Sequence, residues 1–502
     1  MKIEPSFDDF RPVFDAGTPQ LVWSRLVFDL ETPVSAYMKL AADRKNTFLL
    51  ESVEGGAVRG RYSMIGLDPD VIFKAAGPEA GLARAPDLSE FKPAGKPTLD
   101  AVRDLLKESL IDVPEGLPPS SAGVFGYLGY DTVRLIEDLP PEKQTGLQLP
   151  DTILARPQTV VVFDSVKDEL TIVTPVRPDG NTQAKAAYER AVNRVTDVID
   201  ALDRPLDRSS ELAELELSAD IQSNTSPDDY KAMVARAKDY ISAGDIFQVV
   251  LSQRFEAPFP LPPFALYRAL RRVNPAPFLF FLDYDDFSIV GSSPEILVRV
   301  RDGEVTIRPI AGTRPRGATP AEDVRLGKEL LADPKELAEH LMLLDLGRND
   351  VGRVAEIGTV KVTDQFFLEH YSQVMHIVSN VVGRLRSDCD SVEALMAGFP
   401  AGTVSGAPKV RAMEIIDELE ADKRGPYAGC VGYFSADGEM DTCIVLRTAV
   451  VKDGKMYVQA GAGIVADSDP DSEQAECVNK AKALFRAAEE ARRFASQAGR
   501  GQ

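Results

Sequence analysis

The spacing of hydrophobic residues along the chain predicts a mixture of strands and helices. In the first 200 residues, β-branched runs at 159–163 and 170–173 predict buried strands, and a helical period marks one helix from Ala184 to Leu202. Beyond residue 226, strands predicted between helices lie at 289–290, 296–298, 443–446 and 455–458. Because the order lacks βαβ regularity, the pattern predicts an α+β fold.

A change in pattern near residue 203 predicts a boundary. The stretch 203–225 is acidic, rich in serine and poorly periodic, which is typical of a linker. After it, Ser226-Pro227 has the N-cap and first-turn proline of a helix, and Gly244 is placed to end that helix. We therefore predict an N-terminal region at 1–225 and a C-terminal domain at 226–495.

Composition limits the possible functions of the 502-residue chain. A net charge of −21 argues against nucleic-acid binding, because such proteins need a basic footprint. The N-terminus has no apolar signal region and no run is long enough to span a bilayer, so we expect a cytoplasmic protein. The four cysteines are spaced unlike a zinc or redox site and are predicted to be reduced core thiols. An anionic ligand would need a bound cation and converging basic groups.

Two predicted helices each carry an acidic face. One begins at Asp333-Pro334, and its polar residues Glu336, Glu339 and His340 are predicted to lie opposite an apolar stripe. That stripe is Leu337, Leu341 and Leu344. The other helix, near the C-terminus, places Glu473, Glu476 and Lys480 opposite Ala475, Val478, Ala481 and Phe485. Carboxylates at i and i+3 suit a hard divalent cation, although either helix alone is explained more simply by a solvated face with ion pairs.

Two glycine-containing segments are candidate ligand contacts. Residues 402–409 precede a helical pattern, with Pro408 predicted at its first position, and free backbone N–H groups there suit a carboxylate. Residues 459–464 follow a strand, where a ligand can approach the backbone. A plain helix entry and a tight turn explain the two segments equally well. An imidazole acid or base must be His340, His370 or His376, the chain's three histidines.

Taken together, these segments resemble the chorismate-utilising enzyme family. The matching motifs follow one another at 245–252, 291–295, 309–313, 339–350, 402–409, 441–443 and 472–480. The resemblance implies an α+β fold of large antiparallel sheets packed face to face with helices outside. It also implies a Mg2+ cofactor, with Glu339 and Glu476 as direct ligands and Glu336 and Glu473 beside them.

The resemblance also implies the roles of the other site residues. Arg447, Lys480, Tyr427 and the backbone of Gly461 and Gly463 match contacts to the enolpyruvyl carboxylate of chorismate. Thr403 matches a contact to the ring carboxylate. Glu295 matches the general acid that protonates the departing C4 hydroxyl, and His376 matches the group that serves the elimination of pyruvate.

Two positions favour the anthranilate-forming branch of the family. Relatives that add water carry a lysine base where this chain has Gln248, and the aminodeoxychorismate-forming relatives carry a lysine where it has Ala311. Ammonia would then attack C2 and give anthranilate and pyruvate, a lyase reaction that opens tryptophan biosynthesis. The alternatives are an aminodeoxychorismate-forming enzyme and a catalytically inactive sensor of tryptophan or chorismate.

The branch further implies feedback and a partner. Feedback inhibition by tryptophan would use Glu51, Ser52, Pro275, Phe278, Leu279 and Cys443. No cysteine-centred motif of a glutamine amidotransferase is visible, so a separate amidotransferase subunit is expected to supply ammonia from glutamine.

Overall fold

The structure, a computed structural model, describes residues 2–41, 44–54, 58–118, 120–206, 220–371 and 374–495. Its α-helices are α1 Phe7–Asp15, α2 Pro33–Leu40, α3 Thr98–Ser109, α4 Ala184–Asp203, α5 Pro227–Ala243, α6 Pro263–Val273, α7 Pro320–Ala332, α8 Pro334–Gly352, α9 Ser391–Gly398, α10 Lys409–Leu419 and α11 Pro470–Ala495. Two 3-10 helices lie at Tyr130–Leu135 and Gly402–Val404. Helices predicted from Ala184 and after Ser226 and Asp333 are thus confirmed.

Most of the remaining residues are in strands. Their bounds are β1 Gln20–Val27, β2 Thr47–Glu54, β3 Val58–Ala76, β4 Glu79–Arg84, β5 Asp87–Pro93, β6 Gly123–Leu128, β7 Thr152–Asp164, β8 Glu169–Val176, β9 Gln222–Ser223, β10 Gln248–Pro258, β11 Phe278–Asp283, β12 Phe287–Ser293, β13 Ile296–Arg301, β14 Glu304–Ile307, β15 Ile310–Pro315, β16 Lys361–His370, β17 Val374–Arg384, β18 Gly406–Ala407, β19 Cys430–Ser435, β20 Met440–Ile444, β21 Thr448–Lys452 and β22 Lys455–Ile464. The strand predicted at 443–446 ends earlier, at Ile444, because residues 445 and 446 lead into the turn that carries Arg447 in a left-handed conformation.

Local sequence explains where the helices begin and end. The Ser226 hydroxyl accepts a hydrogen bond from the Asp229 backbone N–H at 3.1 Å, and Gly244 ends α5 with a φ of +84°. At the start of α8, Asp333 accepts a hydrogen bond from the Lys335 backbone N–H at 3.0 Å. These caps satisfy N–H groups that the helix leaves free, so both starts are encoded locally.

Strand pairing joins the two halves of the chain. The described strand pairs are antiparallel and form one hydrogen-bonded network. Within it, β2 of the N-terminal region pairs with β11, and β6 pairs with β19. The structure therefore confirms the predicted α+β class with large antiparallel sheets. The division at residue 226 stays a prediction, and most of the predicted linker, 207–219, lies outside the described residues.

The sheets enclose a core to which almost only strands contribute. It contains large side chains from β2, β6, β11 and β19, among them Phe48, Phe125, Tyr127, Phe280 and Tyr433. A second core lies where α6 and α11 pack on the strands, and it includes Leu266, Leu270, Leu484 and Phe485. Burying each large apolar side chain contributes about 1.5–3 kcal/mol. Among the described residues, no helix is both long and apolar enough to cross a bilayer.

The predicted apolar stripe of α8 is confirmed at Leu344, which is buried, and wrong at Leu341. Leu341 is 46% exposed, whereas His340 is fully buried and its Nε2 lies 2.7 Å from the Ser379 hydroxyl. The face of α8 that packs against β15 and β17 consists of His340, Leu343, Leu344 and Gly347. A histidine that finds a hydroxyl partner is accepted in a core, and leucine counts alone do not reveal such a partner.

Three smaller predictions also need correction. On α11, Ala475 is exposed and Cys477 takes the buried position, because the helix turns its Cys477, Ala481 and Leu484 face inward. Cys389 is only partly buried and is not a core thiol. Pro408 is the N-cap of α10 rather than its first residue, since the helix begins at Lys409.

Candidate active site

Glu295 is a buried carboxyl in the short connection between β12 and β13. Its side chain is only 6% exposed, and its backbone oxygen accepts a hydrogen bond from the Ile444 N–H at 3.0 Å. Burial raises the pKa of Glu295 to about 8, although Thr403, the Ile310 N–H and Arg447 each oppose the rise. A carboxyl with this pKa keeps its proton at neutral pH and is able to donate it.

His376 lies on β17, opposite Thr313 of β15. Its Nδ1 is 3.0 Å from the Thr313 hydroxyl and 3.2 Å from the Gly312 carbonyl oxygen, which can only accept a hydrogen bond. Nδ1 is therefore the protonated nitrogen, and the Nε2 lone pair is left free. Burial, assisted by the charge of Arg447, lowers the pKa of His376 to about 4, so the ring is neutral at physiological pH.

Arg447 acts on both Glu295 and His376, and Thr403 lies beside Glu295. The Arg447 charge acts on both Glu295 and His376, and burial lowers the pKa of Arg447 itself. The buried Thr403 hydroxyl, in the 3-10 helix Gly402–Val404, is close enough to influence Glu295 but makes no direct hydrogen bond within the described protein. An unpaired buried hydroxyl and a desolvated guanidinium are both suited to a carboxylate ligand.

Strand β22 supplies a side-chain-free edge to the same site. The Lys480 ammonium on α11 donates a hydrogen bond to the Gly461 carbonyl at 2.9 Å. A Cβ at Gly461 would come within 2.9 Å of the Tyr427 hydroxyl, and one at Gly463 would come within 2.7 Å of the Gln248 amide nitrogen. A Cβ at Gly461 would also come within 2.8 Å of the Leu251 carbonyl oxygen, so close packing requires glycine there, whereas at Gly463 the contact is the end of the Gln248 side chain. The segment lies inside β22 rather than after a strand or in a tight turn, and the approach of a ligand to it stays a prediction.

The four acidic residues predicted as metal ligands lie on α8 and α11, near enough that the charge of Glu476 acts on Glu339. Glu339 accepts a hydrogen bond from Gln248 Nε2 at 3.2 Å, and its pKa is raised by burial and by the charges of Glu336 and Glu476. The pKa of Glu473 is likewise raised by burial and by Glu476. The carboxylates therefore repel one another, even though Glu476 forms a 2.7 Å ion pair with Lys480.

These residues fit a hard divalent cation. Such an ion takes oxygen ligands, often through water, and would relieve the repulsion that raises the pKa of Glu339. The four carboxylates are not drawn together tightly. Among the described residues, three acidic ligand atoms lie within 4.8 Å of one another only at Asp131, Glu142 and Asp151. Lys423 forms ion pairs with Glu142 and Asp151, and Arg134 forms one with Asp131, so each carboxylate of that cluster already has a basic partner.

The predicted site residues form one contiguous site. A Cβ at Gly312 would lie 3.2 Å from Glu336 Oε2, so β15, whose Gly312 carbonyl lies 3.2 Å from His376 Nδ1 on the neighbouring β17, also touches the acidic helix α8. The charges of Glu336 and Glu476 both act on Glu339. Glu476 in turn pairs with Lys480, which donates a hydrogen bond to the Gly461 carbonyl.

Sequence reasoning missed a buried ion pair beneath this site. Arg424 and Glu420 are 1% and 4% exposed and 2.5 Å apart. Arg424 donates hydrogen bonds at 2.7 Å to the carbonyls of Val404, next to Thr403, and of Val250 on β10. Glu420 accepts a hydrogen bond from the Ser252 N–H at 2.7 Å. Nothing in the local pattern marks these charges as buried, although Arg424 lies only three residues before Tyr427.

A cavity of about 600 Å³ lies beside Glu295 and His376. Five of the six residues predicted to bind tryptophan line it: Glu51, Ser52, Phe278, Leu279 and Cys443. Pro275 is not among the lining residues, and Pro277 lies there instead. Its wall also includes Pro294 and Ile296, which flank Glu295, and Tyr371, whose ring meets that of His376 edge-on at 5.5 Å.

Glu51 is already engaged within the protein. Its carboxylate accepts hydrogen bonds from the Tyr267 hydroxyl at 2.5 Å and from Arg271 Nε at 2.6 Å. Ser52 donates its hydroxyl hydrogen to the Tyr62 carbonyl at 3.0 Å. A ligand ammonium at Glu51 would therefore share the carboxylate with Arg271, a contact that the sequence did not predict.

Comparison with known proteins agrees with this geometry. The chorismate binding enzyme family matches residues 46–486. The chain is 56% identical to anthranilate synthase component 1 of Cereibacter sphaeroides, over 99% of this chain and 100% of that protein. It is 46% identical to the protein of the same name from Synechocystis, over 97% of this chain and 99% of that protein.

Solved structures show the same fold. The structure of anthranilate synthase component I from Streptococcus pneumoniae superposes with a TM-score of 0.76 at 38% identity, covering 92% of this chain and 99% of that chain. The menaquinone-specific isochorismate synthase of Escherichia coli, at 21% identity and a TM-score of 0.71, covers 94% of this chain and 95% of that chain, and it shares the fold alone. With its site residues gathered as described and its sequence matched almost end to end, this chain belongs to the chorismate binding enzyme family.

Proposed function

We propose that this protein converts chorismate and ammonia to anthranilate, pyruvate and water, as the chorismate-converting subunit of an anthranilate synthase in tryptophan biosynthesis. The observation that carries the proposal is the burial of both Glu295 and His376 near Arg447, which raises the pKa of the carboxyl and lowers that of the imidazole. The names of the relatives at 56% and 46% identity support the same reaction. The predicted cytoplasmic location stays a prediction.

Glu295 would act in the first step. Ammonia adds at C2 of the ring while the C4 hydroxyl departs, and hydroxide is a poor leaving group unless it is protonated. A carboxyl that still holds its proton at neutral pH supplies that proton and releases water. The Thr403 hydroxyl and the Arg447 guanidinium would orient the substrate beside it.

His376 would act in the second step. The ring becomes aromatic when the C2 proton is removed and the enolpyruvyl oxygen leaves, after which the released enol takes up a proton to become pyruvate. The free Nε2 of a neutral imidazole accepts the C2 proton, and the Thr313 and Gly312 contacts at Nδ1 hold the ring in that tautomer.

The substrate's two carboxylates need positive partners in a chain whose net charge is −21. Arg447, Lys480 and the Tyr427 hydroxyl would bind the enolpyruvyl carboxylate along the Gly461 and Gly463 edge. Glu339 and Glu476 would hold Mg2+ directly, with Glu336 and Glu473 acting through water. When bound, the cation supplies charge that neutralises the ring carboxylate.

The position of Gln248 supports ammonia rather than water as the nucleophile. Its amide donates to Glu339 and lies against Gly463, inside the site, yet an amide cannot take a proton from water. Ala311 likewise offers no amine that could attack C2. Both residues favour direct addition of ammonia, which needs no base.

The cysteines support a separate source of ammonia. A glutaminase thiol must ionise readily, but burial raises the pKa of Cys430 to about 12 and of Cys477 to about 11. Burial also raises the pKa of Cys389 and Cys443, which completes the four cysteines of the chain. Glutamine would therefore be hydrolysed by a partner amidotransferase subunit.

Tryptophan is proposed to inhibit from the adjoining cavity. Phe278, Leu279 and Cys443 would contact the indole, and Glu51 and Ser52 the amino group. Because the wall of this cavity includes the residues that flank Glu295, a bound ligand would bias the position of the acid.

The test is an assay of the purified chain with chorismate, Mg2+ and ammonium, followed by anthranilate fluorescence and mass spectrometry. Anthranilate and pyruvate are expected, with loss of product when tryptophan is added and when glutamine replaces ammonium. Glu476→Gln should abolish Mg2+-dependent turnover. The matched control is Glu489→Gln, which removes an exposed carboxylate from the same helix.

Other products would redirect the proposal. Aminodeoxychorismate, isochorismate or salicylate would assign the chain to a sister activity. Binding of chorismate or tryptophan without any product would indicate a sensor. Near-normal turnover in Glu476→Gln would remove that residue from the metal site.

A further inference from the structure

A separate cavity lies between the end of β8 and helix α4, and the residues that line it are distant in sequence from the catalytic residues. Its volume is about 130 Å³. Three arginines, Arg177, Arg190 and Arg194, line it together with the polar side chains of Gln158 and Thr182. None of these residues belongs to the catalytic cluster or to the predicted tryptophan site. This cavity is called the arginine cavity below.

The geometry of α4 concentrates the positive charge. Arg190 and Arg194 are four residues apart on a helix, so they project from the same face, with Ala187 beneath them. Arg177 approaches from the other side, directly after β8 ends at Val176. In a chain with a net charge of −21, such a cluster of arginines makes the electrostatic potential locally positive.

The three guanidinium groups contact neutral oxygens. Arg177 donates to the Ser109 carbonyl at 3.1 Å, Arg190 to the Thr182 hydroxyl at 3.3 Å, and Arg194 to the Gln158 side-chain oxygen. Within the described part of the chain, none of the three is paired with a carboxylate.

The one acidic side chain in the wall is already neutralised. Asp70 accepts two hydrogen bonds from Arg156, at 2.7 Å to Oδ1 and 2.9 Å to Oδ2. That bidentate pair uses both carboxylate oxygens, and the nearby Glu108 is likewise paired with Arg156 and Arg84. Asp70 and Glu108 therefore act on Arg177 only through their charge, and within the described residues they form no ion pair with the three arginines of the cavity.

The cost of this arrangement is visible at Arg177. Its Nε is buried and has no hydrogen-bond partner among the described residues. Burial, with the nearby charge of Arg156, lowers the pKa of Arg177 to about 10, and burial with Arg190 lowers that of Arg194. A partly buried guanidinium that has like charges beside it, no ion pair and one unsatisfied N–H is destabilising unless an anion compensates it.

We propose that the arginine cavity binds a phosphoryl dianion, either as inorganic phosphate or as the head group of a phosphomonoester. A tetrahedral dianion offers enough oxygens and charge for three guanidinium groups, whereas a single carboxylate would leave at least one unmatched. Thr182 and Gln158 add neutral hydrogen-bonding groups at the wall. The proposal does not rest on the proposed catalytic function, because the two sites share no residue.

The test measures binding directly, by titration calorimetry and by thermal unfolding of the full chain at constant ionic strength. Inorganic phosphate and glycerol phosphate are the two probes, and chloride is the reference anion. Saturable binding with a rise in unfolding temperature is expected, since a ligand of the folded state stabilises it. Tighter binding of one probe identifies the source of the phosphoryl group.

Two variants and a control locate the site. Arg194→Gln and the more exposed Arg190→Gln should each weaken binding about tenfold, because each loses a charge-assisted hydrogen bond. Arg486→Gln, which removes an exposed arginine from α11, should leave binding unchanged. The proposal is overturned if neither probe binds better than chloride, or if both cavity variants bind as tightly as the Arg486→Gln control.

Discussion

Replacing Glu295 by glutamine tests the proposed acid through both rate and stability. Glutamine keeps the size of the side chain but has no proton of suitable acidity to donate. General acids contribute about 10²–10⁴-fold to a rate, so turnover should fall by that factor. In the wild type, turnover at a constant concentration of free ammonia should fall as pH rises through about 8, where Glu295 loses its proton. The residual turnover of the variant should not fall as pH rises through about 8.

The stability effect follows from the same pKa. Burial raises the pKa of Glu295 from 4.5 to about 8, and each unit of difference between the folded and unfolded pKa is worth about 1.4 kcal/mol. Because the folded-state pKa is the higher one, the contribution of Glu295 is complete below pH 4.5 and is lost as pH rises to about 8. Glutamine does not titrate, so the variant should gain stability relative to the wild type across this range, by about 5 kcal/mol in total.

The measurement is denaturant unfolding of both proteins from pH 4 to pH 9. Glu489→Gln, at an exposed position, controls for the loss of one acidic group. A difference between wild type and Glu295→Gln that stays constant with pH would refute the raised pKa. Full turnover in the variant would refute the catalytic assignment.

Two further predictions concern residues that hold or regulate the site. Arg424→Met should lower the free energy of unfolding by about 3–5 kcal/mol, because it leaves Glu420 buried without its partner, and should raise the KM for chorismate through the Val404 contact beside Thr403. Arg236→Met, in an exposed pair with Glu418, is the matched control and should cost less than about 1 kcal/mol in the same unfolding assay. Equal losses of unfolding free energy in both variants would show that the buried Arg424–Glu420 pair matters no more for stability than the exposed Arg236–Glu418 pair. Ser52→Phe should fill part of the adjoining cavity and relieve inhibition by tryptophan, while turnover without tryptophan stays intact. If the variant is inhibited by the same tryptophan concentrations as the wild type, tryptophan binds elsewhere.

Local features were predictable where neighbours in sequence determine them. Ser226, Asp333 and Gly244 are caps whose hydrogen bonds lie within a few residues, so the helix ends could be predicted from short segments. Glu336 and Glu339 share a helix face by periodicity alone. Which face of α8 is buried, by contrast, depends on the contact of His340 with Ser379, which lies 39 residues away in sequence.

The chain's own pattern, with the family motifs it contains, was sufficient for the α+β class, the helix starts and the candidate residues of the active site. Only the tertiary structure decided the environment of those residues: the burial that keeps a proton on Glu295, the Gly312 carbonyl that selects the tautomer of His376, and the Arg271 contact that occupies Glu51. Only the fold, likewise, brought together the three guanidinium groups of the arginine cavity. The physical reason is that hydrogen-bond caps and helical periodicity act over a few residues, whereas desolvation and charge depend on groups that are distant in sequence and close in space.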